Sequence, residues 1–132
     1  MTHPDVQLLL DEAAIARVVH RYAAAVDRRD WERVRSCYHP DAREDRGTFR
    51  GGVDDFLAWL AAAVAPLVSM VHHITTVTAD VRGDVADVES YCLAQHAGPD
   101  GRTALIHCRY VDRFARRGGE WRIAARRREI LA

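Results

Sequence analysis

The hydrophobic period of this chain changes once and does not change back. Before Pro66 the apolar residues recur every three or four positions; from Ser69 onward they recur every second position. The first spacing belongs to a helix with one buried stripe, the second to a strand with one buried face. A helical half followed by an all-strand half cannot build alternating β-α-β units. It predicts an α+β architecture, with helices laid over one face of an antiparallel sheet. Val71, His73, Thr75, Val77, Ala79 and Val81 alternate with His72, Ile74, Thr76, Thr78 and Asp80 up to a turn at Arg82-Gly83-Asp84. Val85–His96 and Ala104–Arg116 continue the meander around Gly98-Pro99-Asp100-Gly101, and Gly118-Gly119 leads into a last strand, Glu120–Ile130. With 132 residues and no linker, internal repeat or low-complexity segment, residues 1–132 read as one domain.

The clearest helix precedes the change of period. Ile15, Val18, Val19, Tyr22 and Val26 form its stripe, with Arg17, Arg21 and Arg28 off it. Residues 1–10 read as a short helical lead-in and Asp11 as the cap of the main helix, which ends near Arg28–Asp30. Asp27 follows Val26, so it is turned by about 100° from it and sits at the margin of the stripe. A second short helix is predicted over Asp30–Tyr38, stopped by Pro40, and a third over Val53–Ala65, closed by Pro66. The polar stretch from Ala42 to Arg50 is compatible with two short strands or a loop.

Charge and composition exclude several functions. The 19 basic residues, all arginine, balance 19 acidic ones, so the basic excess that non-specific nucleic-acid binding requires is missing. No apolar run approaches the roughly 18 residues of a membrane span. The segment Met1–Asp5 lacks the charged-then-apolar pattern of a secretory signal. Cys37, Cys92 and Cys108 are odd in number and form no CxxC pair, which predicts free, mostly buried thiols in a reducing compartment. The expected location is cytoplasmic.

Three residue types could carry chemistry. His73 shares its strand parity with Val71, Val77 and Val81, the more apolar set, and would point inward if that face meets the helices. An imidazole titrating near pH ~6.5 suits proton transfer, although a core histidine bonded to a carbonyl has the same signature. Asp27 could fix the tautomer of such an imidazole and stabilise its protonated form. Its alternative is a surface carboxylate, poorly placed at the negative end of a helix dipole. Tyr22 lies on the buried stripe, where its hydroxyl needs a partner, and Tyr38 is similar. A metal site is not expected: adjacent strand histidines such as His72 and His73 face opposite sides, and no HExxH is present. Phosphate-binding glycine loops and the GxSxG nucleophile turn are also missing.

Taken in order, Ala14-Ile15, Tyr22, Val26–Trp31, Tyr38–Ala42, Phe49-Arg50-Gly51, His72–Thr76 and Gly119–Ile123 resemble the SnoaL-like branch of the nuclear-transport-factor-2-like superfamily. The resemblance covers nearly the whole chain. It implies a cone-shaped α+β barrel, a strongly bent antiparallel sheet wrapped by about three helices around a deep pocket. It also implies a homodimer through the outer sheet face. The branch includes scytalone dehydratase, bile acid 7α-dehydratase and the dehydrochlorinase acting on lindane. There an Asp late in the first helix pairs with a His on the first long strand, which corresponds to Asp27 and His73. The family's tyrosine five residues before the Asp matches Tyr22. A last-strand arginine falls near Arg126, with the neighbouring Arg127 and Arg128 as alternatives, and Tyr38 corresponds to a substrate contact.

These readings point to a dehydratase-type lyase without cofactor or metal, taking a proton from a small cyclic or polyketide-like molecule. In that scheme Asp27, His73 and Tyr22 are catalytic, and Tyr38 and Arg126 bind substrate. A polyketide cyclase or ketosteroid-isomerase-like isomerase, or a binding module without catalysis, would use the same fold.

Overall fold

In the computed structural model, which describes residues 2–131, the elements in chain order are α1 (Pro4–Asp27), α2 (Trp31–Arg35), β1 (Tyr38–Asp45), β2 (Arg50–Gly52) and α3 (Val53–Val64). The strands β3 (Ser69–Arg82), β4 (Val85–Ala97), β5 (Thr103–Arg117) and β6 (Glu120–Ile130) follow. The lead-in and the main helix are one uninterrupted element; Met1 lies outside the described residues. His3 caps it, its Nδ1 accepting the Asp5 N–H at 3.1 Å, and Pro4 occupies the first turn, where no amide partner is needed. Asp11 is therefore not a cap. It is buried inside α1, and its Oδ1 accepts from Arg116 Nη1 at 2.7 Å and Trp121 Nε1 at 3.1 Å, tying the helix to β5 and β6.

Helix α1 ends at Asp27, and two residues on Arg29 takes a left-handed φ of 54° that turns the chain away. Its guanidinium donates to the carbonyls of Val64 at 3.2 Å and Leu67 at 2.8 Å, so the C-terminal ends of α1 and α3 are fastened together. This contact sets the height at which Asp27 leaves the helix. The second helix is shorter than expected, and Tyr38 starts a strand instead of ending a helix. Pro40 accounts for this: it biases His39 to extended backbone and sits where the pairing of β1 with β6 is interrupted between Tyr38 and Arg43.

The six strands form one curved sheet in the order β2-β1-β6-β5-β4-β3. The sheet is mixed, not wholly antiparallel, because β1 runs parallel to β6. It stays open, with β2 and β3 as its edges. The α1 stripe of Ile15, Val18, Val19, Tyr22 and Val26 packs in one core with Val88, Cys92, Cys108, Tyr110, Phe114 and Ile123 from the sheet. Phe56, Leu57, Leu60 and Val64 of α3 join the same core. Full burial of each such aliphatic or aromatic side chain contributes about 1.5–3 kcal/mol. Among the described residues no helix is long and apolar enough to cross a membrane.

One irregularity in β3 decides what enters the interior. Ile74 pairs with Cys92 and Thr76 with Tyr91, so β3 advances two residues while β4 advances one. Thr75 is the extra residue of a β-bulge. Before it Met70, His72 and Ile74 turn inward; after it Val77, Ala79 and Val81 do, and both Thr75 and Thr76 are exposed.

Candidate functional site

Asp27, the last residue of α1, meets an imidazole, and that imidazole is His72. Asp27 Oδ1 lies 2.7 Å from His72 Nδ1 and also accepts the His72 backbone N–H at 3.0 Å. The second oxygen reaches the same amide at 3.2 Å. An ionised carboxylate only accepts, so the neutral ring carries its proton on Nδ1 and leaves Nε2 with a free lone pair. The pair is only partly exposed, with 11% of the His72 side chain and 24% of the Asp27 side chain open to solvent.

His73 is exposed on the outer face and takes no part in this pairing. The parity argument that favoured it assumed a regular strand. The bulge at Thr75 inverts the parity, so the valines beyond it share a face with His72 and not with His73. The adjacent Thr75-Thr76 pair, two polar β-branched residues in sequence, is the trace that could have revealed the change of phase.

His72 opens on a cavity of about 150 Å³ between α1, α3 and the inner face of the sheet. Trp59, Leu60, Val64, Leu67 and Ile106 form its apolar wall; Tyr22, Arg46, His96, Cys108, Tyr110 and Arg128 bring polar atoms to it. Larger, more open surface grooves contain neither Asp27 nor His72. The His96 ring centroid is 5.9 Å from that of His72. Burial, and then the neighbouring His72, hold the His96 pKa below its usual value, so this ring is neutral at pH 7.

Tyr22 is held by a buried polar chain. Arg46 Nη2 donates to the Tyr22 hydroxyl at 2.5 Å, Arg46 Nε donates to Glu44 Oε1 at 2.9 Å, and Tyr38 donates to Glu44 Oε2 at 3.0 Å. Because Arg46 is the donor, the hydroxyl hydrogen of Tyr22 remains available to a guest. Burial raises the Tyr22 pKa, against the pull of the Arg46 guanidinium, and the group stays a neutral donor.

Two expected substrate contacts lie elsewhere. Tyr38 is buried behind Tyr22, with ring centroids 6.2 Å apart, and borders a separate groove beside His39 and Val53. Arg126 is 2% exposed and grips Asp112 with two bonds of 2.8 and 2.9 Å. Its guanidinium carbon stacks 4.4 Å from the Tyr22 ring centroid and 4.0 Å from that of Tyr110. Burial works against the charge of Arg126, but Asp112, Tyr38 and Tyr22 together outweigh it and keep its pKa well above the ordinary arginine value. Arg126 thus braces the tyrosines from behind. The arginine that reaches the cavity is Arg128, opposite Tyr110 in the β5–β6 register, with its buried Nε unpartnered. The sequence alone does not choose among Arg126, Arg127 and Arg128, since the bulge between Arg113 and Phe114 that shifts the pairing of β5 with β6 leaves no mark in it. Among the described residues no three His, Cys, Asp or Glu side chains converge as a metal site would require.

The architecture is shared with solved structures. Hexachlorocyclohexane dehydrochlorinase LinA-type3 from Novosphingobium barchaimii aligns with a TM-score of 0.88 at 21% identity, over 97% of this chain and 91% of that one. A candidate scytalone dehydratase from Novosphingobium aromaticivorans aligns at 0.85 and 22% identity, over 94% and 86% of the two chains. The Kfla4162 protein from Kribbella flavida aligns at 0.86 and 20% identity, over 95% and 93%. No curated protein matches the sequence. At these identities the likeness concerns the fold alone. The sequence model of the SnoaL-like domain matches residues 7–127, nearly the whole of the described chain, and this protein belongs to that family.

Proposed function

We propose that this chain is a cofactor-free lyase that removes a proton and a leaving group from adjacent carbons of a small ring. The observation carrying this reading is the 2.7 Å contact between Asp27 and His72 Nδ1 at the wall of a largely apolar cavity. His72 Nε2 takes the proton from carbon, and Asp27 stabilises the imidazolium that results. The electron pair of the broken C–H bond becomes the new double bond as the leaving group departs with its own pair. A departing halide is received beside the Arg128 guanidinium; a departing hydroxide takes a proton from the Tyr22 hydroxyl. A cavity of about 150 Å³ matches a guest the size of one six-membered ring. The dehydrochlorinase and candidate dehydratase among the structural neighbours both carry names for eliminations, which agrees with this reaction class.

The test is a panel of six-membered rings bearing halide or hydroxyl one carbon from an acidic C–H. Halide release and loss of water by mass are the readouts. Turnover of a hit is expected to fall about a hundred- to ten-thousand-fold in His72→Ala and in Asp27→Asn, and to be unchanged in His73→Ala. Undiminished turnover in His72→Ala would refute the mechanism, and a product of unchanged mass would identify an isomerase.

A homodimer through the outer sheet face belongs to the same proposal. Val71, Gln95 and Leu105 are aligned across β3, β4 and β5 on that face. Val71 is 44% and Leu105 60% exposed, two apolar side chains flanking Gln95 that a second copy would cover.

A further inference from the structure

Cys92 and Cys108 are direct partners in the β4–β5 register, and both are free and buried on the cavity side of the sheet. Directly opposed residues of antiparallel strands have Cα atoms about 4.5–5.5 Å apart, inside the range of about 4.4–6.8 Å that a disulfide spans. Of the two, Cys108 lines the cavity and Cys92 sits beside it on the neighbouring strand. Arg128, which has no carboxylate partner among the described residues, is diagonal to Cys108 on the same face, opposite Tyr110 and two residues along the strand. We propose that Cys92 and Cys108 are a redox-active dithiol in the cavity wall, converted by hydroperoxides into an intramolecular disulfide, with Cys108 attacking and Cys92 resolving.

The electrostatics agree with this assignment of roles. The Cys92 thiol, and beyond it the Arg128 and Arg46 guanidinium groups, lower the Cys108 pKa to about 6 against the opposing effect of burial, whereas the Cys92 pKa is raised. A thiolate beside cations and within reach of a second thiol is the arrangement that peroxide selects. In the first step the Cys108 sulfur attacks a peroxide oxygen. An S–O bond forms, the O–O bond breaks, and the departing hydroxide takes a proton to become water. In the second step the Cys92 sulfur attacks the sulfenic sulfur. The S–S bond forms, the S–O bond breaks, and hydroxide leaves with the Cys92 proton as a second water. Two thiols are oxidised and one hydroperoxide is reduced. Hydrogen peroxide is small enough to enter the cavity, and nothing in the scheme depends on the lyase reading.

Cys37 is an internal control. It is buried away from the cavity against the Arg33 carbonyl, and burial pushes its thiol up. The test uses the reduced wild-type protein, exposed to hydrogen peroxide and digested with trypsin without reductant. Cleavage after Arg82, Arg102 and Arg109 puts Cys92 in peptide 83–102 and Cys108 in peptide 103–109. The expected product is these two peptides joined with the loss of two hydrogens, separable again by dithiothreitol, with Cys37 unmodified. In Cys92→Ser, Cys108 is expected to accumulate as a sulfenic acid that dimedone traps. Peptides that remain unjoined, with thiols intact or separately oxygenated, would overturn the proposal, and the wild-type result decides it even if the variant fails to fold.

Discussion

The buried pair of Asp112 and Arg126 supports the floor of the cavity without entering it. Arg126 stacks on Tyr22 and Tyr110, so its charge, its planarity and its fixed position all bear on the tyrosine that faces a guest. Removing one member of such a pair leaves the other charged and desolvated. Asp112→Ala is therefore expected to destabilise the protein by about 3–5 kcal/mol, read as a shift of the urea unfolding midpoint. An unchanged midpoint would mean that water or another group satisfies the guanidinium. Single residues differed in how far their sequence position betrayed where the fold places them. Tyr22 was legible because it sits on a helical stripe and needs a partner for its hydroxyl. Asp27 was legible because a carboxylate at a helix C-terminus opposes the dipole. Arg46 and Glu44 were not: they lie in a polar stretch without period, and only the fold brings Arg46 to the cavity, with Glu44 holding it from behind.

At the scale of elements, the bulge in β3 selects which of two adjacent histidines faces the acid. Thr75 is the unpaired residue, so deleting it restores a regular strand while Met70, His72 and Ile74 remain on the inner face with Val77, Ala79 and Val81. The shortened protein is expected to fold with a loss of about 1 kcal/mol, the usual scale of a single change. His72 should keep its bond to Asp27, seen as a retained Nδ1–H tautomer by nitrogen NMR. A ring that loses this tautomer on deletion would show that the bulge itself holds the pairing. The strand's existence and length were readable from its alternation, because period two is what a half-buried strand imposes. Its phase was not, since one extra residue reverses parity without disturbing the alternation on either side. The second helix was overextended for a related reason. Trp31, Val34 and Tyr38 fit a helical stripe, and the extended preference imposed by Pro40 prevailed from Tyr38 onward.

For the whole molecule, the change of period after Pro66 fixed the layer order, and helices over a curved sheet are what the chain forms. The parallel pairing of β1 with β6 was not readable, because it joins segments from opposite ends of the chain and no local pattern marks it. The outer face carries the prediction at this scale. Leu105→Glu would set a charge at one end of the Val71, Gln95 and Leu105 row, and sedimentation is expected to change from a dimer to a monomer while the helical and strand content is unchanged. A wild-type chain that sediments as a monomer at micromolar concentration would rule the assembly out. The sheet's order has a last consequence. Strand β3 is an edge, with β4 as its only neighbour, and where α1 ends it is Asp27 that receives the free His72 amide. One carboxylate thus finishes the border of the sheet and holds the imidazole. A carboxamide in its place could still accept that amide while giving up the negative charge. A natural descendant with Asn there would keep the architecture and the cavity while losing the charge on which the proposed elimination depends, free to serve as a container.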